Sequence, residues 1–318
     1  MHIDPHVFSD EAVSEETRAF NKELRELLMA QPDTSEFTPE EIRRERREGR
    51  SWLGPIIHSE HAETITIDGP GGDLDLRIIN AGTSNGVYLH IHGGGWVLGA
   101  ADLSDVGNEA MSTEAGVTVV SVDYRLAPEH PYPAGVNDCA AAAAWLIENG
   151  EAMFGSDRFT IGGESAGANL AASTLLRTRD DLGYTDWAAA NLAYGSFLPH
   201  GTPSVRQWTE VGLILEPDTM TWFGEHYVGG QKIAMDDPTF SPLYGELHDM
   251  PPALFSVGTW DPLLDDTLFM ATRWLAARND TELEIYPGGV HAFDAFPTPI
   301  AAQARERMHT YIAQAVQS

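Results

Sequence analysis

Gly163-Glu164-Ser165-Ala166-Gly167 sets a serine between glycines, directly after the apolar run at 158–161 and directly before a helix-forming run at 166–176. A tight strand-to-helix turn of this kind exposes a serine hydroxyl at a helix N-terminus, where it can attack a carbonyl. A second glycine-rich stretch, His92-Gly93-Gly94-Gly95-Trp96, follows the apolar run at 87–91. Successive glycines let backbone N–H groups approach a developing oxyanion, so two donors from Gly93, Gly94 and Gly95, with the N–H of Ala166, would form an oxyanion hole. Neither a G-x-G-x-x-G fingerprint nor a P-loop lysine is present to favour a phosphate.

A serine hydroxyl is a weak nucleophile at neutral pH and needs a base, and the base needs a carboxylate to orient it, in the chain order Ser, acid, His for a sheet of this kind. Asp261 follows the apolar run at 253–257 and His291 follows the run at 283–285. Both therefore fall at the carboxyl ends of strands, where open α/β sheets bind ligands. Asp265 and Asp266 come one helical turn later and read as carboxylates complementing a helix N-terminus. Among the other histidines, His2, His6, His58, His61 and His309 lie outside the sheet loops, His92 belongs to the glycine loop, and His200, His226 and His248 read as lid or surface residues.

The elements that must hold these groups alternate. Strands are expected at 64–67 and 74–79, joined as an antiparallel pair by Asp68-Gly69-Pro70-Gly71-Gly72, and at 87–91, 117–122, 158–161, 189–194, 253–257 and 283–285. Helices are expected at 134–149 and 166–176. Alternation of strand and helix implies an α/β fold with a mostly parallel central sheet flanked by helices. Two segments stand apart: an amphipathic helix at 9–30 with a second short helix after Thr38-Pro39, and the stretch 199–238, rich in Trp, Leu, Ile, Met and Phe. Phe8, Trp52, Met220, Trp222 and Phe223 are candidates to line an apolar acyl pocket.

Against 19 Lys plus Arg stand 48 Asp plus Glu, a formal net charge of −29. Such a field repels phosphate backbones and anionic lipid, so neither nucleic acid nor a membrane is expected as a partner. No apolar stretch reaches the roughly 18 residues of a membrane span, and residues 1–5 lack a basic and apolar leader pattern, so the expected location is cytoplasmic. The single Cys139, in an Ala-rich run, reads as a buried structural thiol.

With these motifs in place, the chain resembles the hormone-sensitive-lipase-like group (family IV) of α/β-hydrolases, bacterial carboxylesterases with an HGGG-type loop and a G-D-S-A-G-type elbow. Residues 124–134, Tyr-Arg-Leu-Ala-Pro-Glu-His-Pro-Tyr-Pro-Ala, are similar to a long block of that family, and Asp261-Pro262-Leu263 and His291-Ala292-Phe293 match its acid and base motifs. The resemblance covers nearly the whole chain. It implies an α/β-hydrolase fold with a helical cap, with Ser165 as nucleophile, Asp261 as orienting acid, His291 as general base, and Gly93, Gly94, Gly95 and Ala166 as oxyanion-hole candidates.

Glu164 departs from the family, where aspartate is common; its side chain is expected to point away from the reacting carbonyl and to alter only the supporting network. The Arg125 block is expected to hold the glycine loop in place. Residues 1–50 are expected to form the cap and 51–318 the catalytic domain, with 199–238 contributing to the cap. The implied activity is hydrolysis of short- to medium-chain carboxylic esters without cofactor or metal, on a small-molecule ester, in a chain that could form a homodimer. An amidase or formamidase with the same triad, and a non-catalytic small-ligand receptor on the same fold, are the alternatives.

Overall fold

A computed structural model describes residues 2–80, 82 and 84–317; Met1, Ala81, Thr83 and Ser318, which include the first residue of the expected cap (1–50) and the last of the expected catalytic domain (51–318), lie outside them. The chain opens with two 3-10 turns, Pro5–Phe8 and Asp10–Ala12, and only then enters helix α1 (Glu15–Met29). The continuous helix expected from residue 9 is interrupted because Val13 and Ser14 are extended and the Ser14 hydroxyl accepts the Thr17 N–H, starting a new helix. Helix α2 (Pro39–Arg47) begins at a capping box between Thr38 and Glu41.

Strands β1 (Ala62–Gly69) and β2 (Gly72–Ile79) form the antiparallel pair expected from the glycine-rich turn. There follow β3 (Val87–Ile91), α3 (Asp105–Ala115), β4 (Thr118–Val122), α4 (Ala134–Phe154), β5 (Phe159–Glu164), α5 (Ala166–Leu182) and β6 (Ala189–Ala193). The segment to the next strand carries α6 (Pro203–Gln207) and α7 (Pro217–Val228), after which come β7 (Ala253–Trp260), α8 (Leu264–Ala276), β8 (Thr281–Val290) and α9 (Pro299–Ala315). The eight strands make one sheet in the order β1-β2-β4-β3-β5-β6-β7-β8. All pairs from β4 to β8 are parallel, while β1–β2 and β2–β4 are antiparallel.

Alternation along β3 shows how the two faces are built. Val87, Leu89 and Ile91 join the core beneath α4, α5 and α8, with Leu146, Leu170, Leu175 and Trp274, whereas Tyr88 faces the core beneath α3 and α9, with Met111, Met308 and Ile312. Cys139 lies buried in the first core, and burial pushes its thiol well above the ordinary range, which keeps it protonated and unreactive. Among the described residues, no helix is long and apolar enough to cross a membrane.

Candidate active site

Strand β5 runs on through Gly162 and Gly163, beyond the residue-161 limit read from apolarity, because both glycines continue the pairing with β3 and β6. The close approach requires them: a Cβ on Gly163 would lie 2.1 Å from the carbonyl oxygen of Ile91, and one on Gly167 only 1.9 Å from it. Between them Ser165 takes φ 58° and ψ −120°, a conformation that non-glycine residues rarely adopt and that surrounding structure must enforce. Its N–H is held by the Ala193 carbonyl at 2.9 Å.

The acid and the histidine arrive on neighbouring strands. Trp260, last residue of β7, pairs with Val290, last residue of β8, so that Asp261 and His291 leave the sheet side by side. Asp261 Oδ2 is 2.9 Å from His291 Nδ1, and His291 Nε2 is 2.9 Å from Ser165 Oγ. Asp261 is almost wholly buried, and its Oδ1 accepts the Leu263 N–H at 2.8 Å, so both oxygens are engaged. A proton on Nδ1 facing the carboxylate leaves Nε2 as an acceptor for the serine hydroxyl. The Tyr194 ring stands edge-on to His291 at 5.0 Å, and its hydroxyl donates to Asp294 at 2.5 Å.

The glycine loop is fixed from several sides. Gly94 (φ 115°) and Gly95 (φ 60°) have left-handed backbones, and the Gly94 carbonyl accepts the N–H groups of Val97 and Leu98. His92 stacks on Tyr124 with centroids 4.2 Å apart, and the Tyr124 hydroxyl donates to the His92 carbonyl at 2.9 Å. Burial holds His92 below the ordinary imidazole range, so it is neutral. From α2, Arg43 donates to the carbonyls of Val97 and Ala127 and pairs with Glu129. Arg125 does not make the loop contact: its guanidinium is bidentate on Asp138 of α4, and within that block the Tyr124 hydroxyl and the Ala127 N–H, which donates to the Trp96 carbonyl, hold the loop.

Glu164 supplies a contact that the sequence hid. Its Oε1 accepts the Gly93 N–H at 2.9 Å and its Oε2 lies 3.1 Å from His90 Nε2. Burial raises the Glu164 carboxyl, but His90 and the Gly93 N–H outweigh it and hold the group below the ordinary glutamate range. The Gly93 N–H is thereby spent on Glu164, and of the three glycines, among the described residues, only Gly94 and Gly95 keep an N–H without a partner. His90 is hidden in the sequence because it lies in an otherwise apolar strand; the signal that marks it is a basic ring two residues ahead of the glycine loop.

Ser165 and His291 open into a cavity of about 1950 Å³. Its walls include Phe37 from the N-terminal segment, Trp52 just beyond it, and Leu213, Met220 and Phe223 from the insertion. Two of the expected pocket residues lie elsewhere: Phe8 is 43% exposed and off the cavity, and Trp222 packs into the core. Asp265 and Asp266 fasten the insertion's beginning: Asp265 accepts the Ser204 N–H, and Asp266 accepts the Leu198 N–H and the Thr202 hydroxyl.

A serine, a histidine and a buried carboxylate in line, with backbone donors close by and an apolar cavity above, are the parts of a covalent acyl-transfer centre. The chain belongs to the α/β-hydrolase fold family, whose pattern matches residues 88–295. That membership bears out the resemblance drawn from the motifs. More particularly, the chain is 34% identical over 250 residues to the carboxylic ester hydrolase LipN of Mycobacterium tuberculosis, covering 76% of this chain and 66% of that one. The chain thus spans about two thirds of that relative's length. To carboxylesterase NlhH of the same species it is 36% identical over 228 residues, covering 70% and 71%. Among solved structures, the hyperthermophilic esterase from the archaeon Pyrobaculum calidifontis superposes with a TM-score of 0.84 at 29% identity, covering 94% of this chain and 98% of that one.

Proposed function

We propose that the protein is a serine carboxylesterase for short- to medium-chain esters of small molecules. The observation that carries this reading is the in-line arrangement of Asp261, His291 and Ser165 through two contacts of 2.9 Å. In this reading His291 Nε2 takes the Ser165 proton as Oγ attacks the ester carbonyl. The resulting oxyanion is held by the N–H groups of Gly94, Gly95 and Ala166, and the imidazolium gives its proton to the departing alcohol. Water, deprotonated by the same ring, then releases the acid from Ser165.

The N-terminal segment, residues 1–50, and the insertion, 199–238, act in this reading as a cap over a catalytic domain of 51–318. The support is that both contribute side chains to the cavity. The reading extends to a cytoplasmic location, tested by cell fractionation, and to a homodimer, tested by mass in solution.

Hydrolysis of p-nitrophenyl esters from acetyl to palmitoyl, beside Ser165→Ala, tests the function. Turnover of the short esters is expected to collapse in the variant; turnover that survived there would exclude Ser165 as nucleophile. Matched amides distinguish an amidase, and tight ligand binding without turnover would mark a receptor.

A further inference from the structure

His90 lies beneath the active site in the middle of a chain of hydrogen bonds. It pairs in register with Ser121 on one neighbouring strand and Gly162 on the other. The Asn108 amide donates to its Nδ1 at 3.2 Å, and the Ser121 hydroxyl lies 2.8 Å from the same atom. A nitrogen that accepts cannot also carry the proton, so His90 is the tautomer protonated on Nε2, and that N–H points at Glu164 Oε2. The other carboxylate oxygen takes the Gly93 N–H.

Glu164 directly precedes Ser165, and its side chain is 32% exposed on the wall of the cavity. A carboxylate free to swing there would place negative charge where an oxyanion must develop, at a Coulomb cost that grows as a bound substrate displaces water. Resting on the serine-esterase reading, we propose that His90 is a positioning residue that holds the Glu164 carboxylate on the Gly93 peptide and away from the oxyanion site. Two consequences follow from one contact: the Gly93 peptide is turned with its N–H toward Glu164, which orients Gly94 and Gly95, and the negative charge next to the serine is kept back. The pairing is matched in length, since the glutamate's extra methylene carries its carboxylate to a ring on β3 while still reaching Gly93.

The test is His90→Leu, Glu164→Gln and the double variant, assayed on p-nitrophenyl butyrate. His90→Leu is expected to lower kcat by about tenfold with KM little changed, less than the loss from deleting an oxyanion donor outright. Adding Glu164→Gln to it is expected to recover most of that loss, because the amide is uncharged and keeps an acceptor for Gly93. A merely structural histidine would give two losses that add. An unchanged kcat in His90→Leu, or no recovery in the double variant, would overturn the proposal. NMR of the unsubstituted protein and His90→Leu reads the link without turnover: the His90 ring should show the Nε2–H tautomer, and the Gly93 amide proton should move upfield in the variant. A Gly93 amide indifferent to His90 refutes the link even were the esterase reading sound, and absence of ester turnover alongside the expected NMR shifts refutes the esterase reading alone.

Discussion

Phe223 lies flat against Gly95: a Cβ built on that glycine would come within 2.2 Å of the ring's Cδ1. The ring comes from α7 in the insertion, and the glycine from the loop that faces the serine, so the insertion bounds the space over the glycine loop. Replacing the ring by a methyl group opens that space. In Phe223→Ala, kcat/KM for octanoate relative to butyrate is expected to rise about tenfold, as two further methylenes are buried at about 0.8 kcal/mol each. The p-nitrophenyl series measures it, and an unaltered chain-length profile would show that the ring does not bound the acyl pocket.

Asp261 accepts from His291 with one oxygen and from the Leu263 backbone with the other. Asp261→Asn fills the same volume and can keep the backbone contact, but its amide favours the wrong imidazole tautomer. The same exchange in a serine-protease triad costs about 10⁴ in kcat. A comparable loss is expected here, with the melting temperature little changed; retention of even a tenth of the activity would remove Asp261 from the triad.

Asp266 is buried with no cation beside it among the described residues, and burial, together with the charge of Asp261, pushes its carboxyl up to about 7 from an ordinary 3.8 despite the bonds from Thr202 and Leu198. The folded protein thus holds a proton there that the unfolded chain releases between pH 4 and 7. Stability must therefore fall as pH rises through that window, by an amount on the order of a few kcal/mol for this one group. Asp266→Asn cannot ionise, so its melting temperature relative to the parent protein should climb from pH 4 to pH 7 and level off above. A difference independent of pH would show that Asp266 is ionised throughout.

Much of the site was legible because its signals are local. The serine's flanking glycines, the triple-glycine loop, and the positions of Asp261 and His291 just past apolar runs each follow from a few adjacent residues, and the chain order links them. What escaped depends on partners distant in the chain. The choice among Gly93, Gly94 and Gly95 turns on Glu164, and Glu164 in turn on His90, a residue whose setting in β3 reads as core. The limits of β5 and β8 escaped for another reason: Gly162, Gly163, Pro287 and Gly288 look like breakers, yet lie within the strands as observed. Similarly, the aromatic count of the insertion could not tell Trp222, which packs inward, from Phe223, which faces the cavity.

The contact of Gly163 and Gly167 with the Ile91 carbonyl joins two backbones, and Ile91 lies just ahead of the glycine loop. The spacing between the serine and the loop is thus set in part by main-chain atoms, while much of the cavity wall is side chains on α7, the N-terminal segment and the connecting loops. Mutation can redraw those walls without disturbing that spacing. A lineage carrying this arrangement is free to drift among substrates by exchanging wall residues one at a time, its reaction machinery insulated from the search.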